Sequence, residues 1–86
     1  MVADKKECSG TETSSRFPFL ADCAAHCNGT ASMFAFGTND YGIDRCDNED
    51  CKCLCETSAT VNGSCDQEDT NGFRLYKYVG QGNHFC

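Results

Sequence analysis

Cysteine spacing constrains this chain more than any other feature. Cys23 and Cys27 are four residues apart, a helical spacing, while Cys51, Cys53 and Cys55 alternate along what reads as one face of a strand. Residues four apart on a helix rise about 6 Å, and residues two apart on a strand rise about 6.6–6.8 Å. A helix laid along that strand therefore sets Cys23 and Cys27 opposite two of Cys51, Cys53 and Cys55, within the roughly 4.4–6.8 Å Cα separation that a disulfide allows. The spacing predicts a helix riveted to a sheet by two bridges. It leaves open which two strand cysteines are used and which way the helix runs.

Nine cysteines in 86 residues place the chain among small disulfide scaffolds of oxidising compartments. Leu, Ile and Val are scarce, and six Phe and three Tyr fill part of the gap. So thin a core needs staples, each contributing roughly 2–5 kcal/mol. The net charge of −6, with seven Lys and Arg scattered along the chain, argues against nucleic acid and against an anionic membrane surface. No apolar run approaches the roughly 20 residues of a membrane-spanning helix. The first seven residues lack the apolar stretch of a signal peptide. The expectation is therefore one domain over residues 1–86, cut from a longer protein, with Met1 an added start.

Residues 9–16 are polar and read as a loop. Pro18 suits a first helical turn, so the helix is placed from Pro18 to Cys27, with Phe19, Leu20, Cys23, Ala24 and Cys27 on its buried face. Asn28-Gly29 is its stop. Ser32–Phe36 reads as a strand ending at Gly37, and Cys51–Glu56 as the cysteine strand. Thr57–Val61 could extend it up to a turn at Asn62-Gly63, and residues 64–72 read as an acidic loop. Phe73–Val79 alternates, with Phe73, Leu75 and Val79 on one side and Arg74, Tyr76 and Tyr78 on the other. One helix followed by several strands is an α+β arrangement, with the helix packed on one face of an antiparallel sheet.

Cys51-Lys52-Cys53-Leu54-Cys55, helped by His26 and His84, could also present thiolates to a metal. Alternating C-x-C-x-C fits a zinc knuckle poorly, so no metal and no cofactor is expected. Asp44, Asp47, Glu49 and Asp50 lack the order of an EF-hand calcium loop. His26 beside Cys27 lacks the third group that a nucleophile pair requires. No catalytic residue is therefore assigned. Asn28-Gly29-Thr30 and Asn62-Gly63-Ser64 match the N-glycosylation sequon but are also ordinary turns. Arg74, Tyr76 and Tyr78 are the candidate contact surface, Tyr and Arg being enriched in binding hot spots. The competing reading packs the helix on that face and makes the tyrosines core.

In order and spacing, Cys23-Ala24-Ala25-His26-Cys27, then Phe34-Ala35-Phe36, then Cys53-Leu54, then Gly72–Tyr78 resemble a PAN/apple module over nearly the whole chain. Such modules carry a cysteine just before the aromatic strand, where this chain has Ser32 and Met33. The extra cysteines Cys46 and Cys65 and the acidic loops are closer to the apple arrays of apicomplexan microneme adhesins. The resemblance implies a Cys8–Cys86 bridge joining the termini. Cys46, Cys65 and one of the 51–55 trio keep no assigned partner, and an odd count leaves at least one thiol free or paired to another chain.

The resemblance implies a non-catalytic extracellular module that recognises protein or carbohydrate in adhesion to a host cell. It would be secreted or held in an organelle such as the microneme, with a protein or glycan ligand and neighbouring modules of its own chain as partners. It implies neither nucleic acid nor membrane insertion. A free-standing secreted effector, an inhibitor or toxin, is the alternative.

Overall fold

The computed structural model describes residues 1–37, 51–80 and 82–86. Its elements are β1 (Ala3–Cys8), β2 (Thr13–Phe17), α1 (Leu20–Cys27), β3 (Met33–Gly37), β4 (Cys51–Cys55) and β5 (Gln67–Lys77). The five strands form one antiparallel sheet in the order β1-β5-β3-β4-β2. The helix packs on one face, giving the disulfide-rich α+β domain that the cysteine spacing predicts.

Strand parity divides the core into two layers. Toward the helix point Phe34, Phe36, Cys51, Cys53, Cys55 and Tyr76, against Cys23, Ala24 and Cys27. On the outer face lie Cys8, Met33, Ala35, Leu54, Phe73 and Leu75. Strand β3 is buried on both faces throughout, which is why Met33-Phe34-Ala35-Phe36 reads as a continuous apolar run.

Helix α1 begins two residues later than the sequence suggests. Phe19 is its N-cap, in extended conformation, with no side-chain cap. It thereby leaves the helical screw, and its ring is 55% exposed, not part of the buried face. Cys23, Ala24 and Cys27 do form that face. Gly29, with φ +84°, follows the C-cap and supplies the left-handed conformation that ends helices at low cost.

Three loop and strand assignments change. Residues 13–16, expected as loop, form β2 together with Phe17 by pairing with β4 in register Thr13↔Cys55 to Phe17↔Cys51. This edge strand exists through its backbone partners, so Thr13-Ser14-Ser15-Arg16 needs no apolar alternation. Residues 57–61 turn instead of continuing β4: Ala59 donates to the Glu56 carbonyl and Gly63 to that of Thr60. Strand β5 starts at Gln67, inside the expected acidic loop, because β1 pairs with it through Glu7↔Glu68 and Cys8↔Gln67.

Topology forces the sheet to curl. Strands β1 and β2 occupy opposite edges. A flat sheet would set those edges about 19 Å apart, more than the roughly 18 Å that the steps from Cys8 to Thr13 can reach. The curl is visible where the end of β1 and the connection that follows it meet the segment just past β4. The Cys8 N–H donates to Glu56 Oε2, Ser58 Oγ donates to the Ser9 carbonyl (3.0 Å), and Ser58 N donates to the Thr11 carbonyl (3.0 Å). The outer face is thus concave, with residues 7–12 drawn across it.

One glycine is fixed by close backbone approach. A Cβ on Gly37 would lie 1.9 Å from the Gly72 carbonyl oxygen across the β3–β5 pair. Gly37→Ala is expected to destabilise the domain by at least the ~1–3 kcal/mol of core overpacking, read as a lower urea midpoint at unchanged slope.

Candidate binding site

The cysteines fix the frame of any site. Cys23 bonds Cys53 (Cα–Cα 5.4 Å) and Cys27 bonds Cys55 (5.2 Å). These are the two helix-to-strand bridges that the spacing predicts, and their order sets α1 running in the direction of β4. Cys8 bonds Cys65 (Cα–Cα 5.6 Å), not Cys86. Cys86 is free and exposed. The implied terminal bridge fails for a simple reason. Cys8 faces Gln67 at one end of β5, whereas Cys86 exchanges both backbone bonds with Lys77 at the other. An 11-residue strand separates ends by about 30 Å along its path, against a disulfide limit near 7 Å. Cys51 is also disulfide-bonded. Cys46 and the acidic residues Asp44, Asp47, Glu49 and Asp50 lie outside the described residues.

The sulfurs of Cys23, Cys27 and Cys53 lie within 4.8 Å of one another. All three are held in disulfides, so none presents a thiolate to a metal. His26 is exposed beside Ser15, with Nε2 3.2 Å from its Oγ, and His84 is exposed in the C-terminal turn.

The expected contact surface is largely core. Tyr76 is 6% exposed and stacks on Phe34, with centroids 5.2 Å apart. Tyr78 is half-buried, packs on the same ring and donates its hydroxyl to the Ala24 carbonyl of the helix. Burial raises both phenols, that of Tyr78 to about 12. Arg74 is half-buried and pairs with Asp4 on β1 at 3.3 Å. The helix therefore covers the face that carries Arg74, Tyr76 and Tyr78, and the tyrosines anchor it.

The curled outer face builds a different site. Parity on β4 sends Lys52 and Leu54 outward, and Glu56 continues that row just past the strand. The β2–β4 register, carried one step beyond Thr13↔Cys55, sets Glu12 opposite Glu56. A cavity of about 270 Å³ opens here, lined by Glu7, Glu12, Ser14, Lys52, Leu54 and Phe73. Glu56 itself is fully buried. Its Oε2 accepts from the Cys8 N–H, and its Oε1 has no hydrogen-bond partner among the described residues. A buried carboxylate so placed is costly, and it takes up a proton instead. Burial first, then Glu12, push its pKa up to about 9, while the Cys8 N–H pulls the other way. Protonated, Glu56 can donate to the Glu12 carboxylate. Glu7 is raised to about 7 by burial, then by Glu12 and Glu68, with Lys52 opposing. Carboxyls with raised pKa beside a cavity make this the candidate site.

The sequence held a signal for Glu56, since it extends the Lys52, Leu54 row by one alternation. Glu7 and Glu12 gave none, because only the crossing of residues 7–12 brings them there. A second, more open groove of about 430 Å³ lies between Gly29, Ser32, Thr57 and Val61 and has no ionisable lining. The two sequon asparagines border it in sequence. Both are exposed, and Asn28 donates to the Asn83 side chain at 2.7 Å. Comparisons with protein-family models, with curated proteins and with solved structures each find no match to this chain.

Proposed function

We propose that this chain is a non-catalytic extracellular binding module of the PAN/apple kind, recognising a protein or glycan on a host cell surface as one unit of an adhesin. The observation that carries the reading is the set of intrachain bridges Cys8–Cys65, Cys23–Cys53 and Cys27–Cys55. Such bridges persist in secreted proteins and secretory organelles. They tie helix, strand and connecting segments into one rigid platform, which lowers the ordering cost of binding. The PAN/apple assignment rests on the order of the cysteine helix, the aromatic strand and the cysteine strand. Repetition of such a module would raise weak affinities by multivalency.

The test is a glycan and host-surface-protein screen with the oxidised domain displayed as a tetramer. Saturable binding to at least one ligand is expected, and it should vanish when the protein is reduced and alkylated. Absence of binding, together with potent inhibition of a protease panel, would replace this reading with that of a secreted effector.

A further inference from the structure

We infer that Asn28 and Asn62 both accept N-linked oligosaccharide, and that the groove between them is a sugar-bearing face. The inference rests on the binding-module reading, which puts the chain in a secretory compartment, and it names a modification and the face that carries it. Asn28-Gly29-Thr30 and Asn62-Gly63-Ser64 each match the acceptor sequon. In the sequence they are two distant turns, and the fold brings them together. Gly29 and Thr30 of the first line the same groove of about 430 Å³ as Thr60 and Val61 beside the second. Ser32 Oγ donates to the Thr60 carbonyl and ties the two walls.

Each asparagine can take a sugar without cost to the fold. The Asn62 turn is closed by other groups: Thr60 N donates to the Ser64 carbonyl (2.8 Å), Gly63 N to the Thr60 carbonyl (3.0 Å) and Ser64 N to Thr60 Oγ1 (3.2 Å). Asn62 and Ser64 are exposed, and their side chains take no part in these bonds. At the helix end Asn28 N donates to the Ala24 carbonyl (3.1 Å) and Thr30 N to that of Cys27 (3.0 Å). Asn28 Nδ2 donates to Asn83 Oδ1 (2.7 Å), but an amide nitrogen carries two hydrogens, so one remains for substitution. Asn28, Gly29 and Thr30 are exposed, and a Cβ on Gly29 would meet nothing within 4 Å. The space around that turn is open. The groove has no ionisable lining, and its Val61 is 95% exposed. A bulky, solubilising sugar beside it shields that apolar surface and keeps a macromolecular partner off the groove.

The donor is an oligosaccharide linked through pyrophosphate to a lipid carrier and held by the transferase of the secretory pathway. Nδ2 attacks the anomeric carbon of the first sugar. The N–C bond forms as the bond from that carbon to the pyrophosphate oxygen breaks. The amide gives one proton to a base on the transferase, the lipid pyrophosphate leaves, and nothing is oxidised or reduced.

The experiment secretes the full chain behind a heterologous signal peptide from eukaryotic cells competent in N-glycosylation. Peptide N-glycosidase in heavy-oxygen water then converts each occupied asparagine to labelled aspartate, which peptide mass spectrometry locates. A sample without the glycosidase controls for spontaneous deamidation at Asn-Gly. Label is expected at both Asn28 and Asn62. Thr30→Ala should lose the label at Asn28 alone and Ser64→Ala that at Asn62 alone, whereas Thr30→Ser and Ser64→Thr should keep both. Label at neither asparagine or at only one of them in the secreted, fully bridged chain would overturn the inference, as would label that survives the alanine variants. The readout needs no ligand, so its failure is distinct from failure of the host-surface screen that tests the module reading.

Discussion

Replacing Cys8 and Cys65 together by serine should cost about 4 kcal/mol, the largest loss from any one of the three described bridges. The bridge closes a separation of 57 residues, against 30 for Cys23–Cys53 and 28 for Cys27–Cys55. The chain-entropy model gives about 4.2 kcal/mol for the first and about 3.6 for each of the others. A domain of this size has a total stability of only about 4–13 kcal/mol, so the double variant should lie close to unfolding at ambient temperature. The loss has a local signature as well. Cys8 donates its N–H to Glu56, so freeing the end of β1 removes the cover from that carboxyl. Urea melts of the variant and hydrogen exchange at the Cys8 amide measure the two effects. A loss below about 1 kcal/mol with an unchanged Cys8 amide would show that hydrogen bonding alone holds β1 across the outer face.

Glu56→Gln should stabilise the protein at alkaline pH and abolish most of its pH dependence between 7 and 9. In the folded state Glu56 holds its proton up to about 9, against the ordinary 4.5 of a free glutamate. Below about 4.5 the carboxyl is protonated in both states, and its contribution to stability is fully present. Above that, the unfolded chain releases a proton that the folded one retains. Stability therefore falls as pH rises, until the folded group ionises near 9. The slope is at most ~1.4 kcal/mol per pH unit for one proton. Glu7, raised to about 7, shares the lower part of the window, so the interval from 7 to 9 isolates Glu56. Glutamine keeps an acceptor for the Cys8 N–H and adds a donor toward Glu12, without a charge to bury. At pH 8 the variant should melt several degrees above the parent, since ~1 kcal/mol shifts a domain this small by about 4–8 °C. Parallel melting curves for parent and variant from pH 5 to 9 would refute a proton on Glu56.

The helix, the cysteine strand and the aromatic strand were legible because each has a period that survives without tertiary context. Cys23 and Cys27 repeat at the helical interval, Cys51, Cys53 and Cys55 at the strand interval, and their nearly equal rises imply mutual bridging from spacing alone. Strand β2 was not legible. Thr13-Ser14-Ser15-Arg16 carries no alternation, and its extended form comes from backbone bonds to β4. Tyr76 and Tyr78 fit a contact surface and a core face equally well in sequence, and the choice fell to core once the helix was seen to cover them.

By itself the sequence determined an oxidised α+β scaffold with one helix pinned to one strand, since spacing and composition are local properties. Only the tertiary structure decided the partner of Cys8 and the location of the acidic bowl. Both depend on the sheet order, which sets β1 and β2 at opposite edges with a linker too short for a flat sheet. That mismatch curls the sheet, carries Glu7 and Glu12 over Glu56, and leaves Cys86 at the far end of β5, out of reach of Cys8.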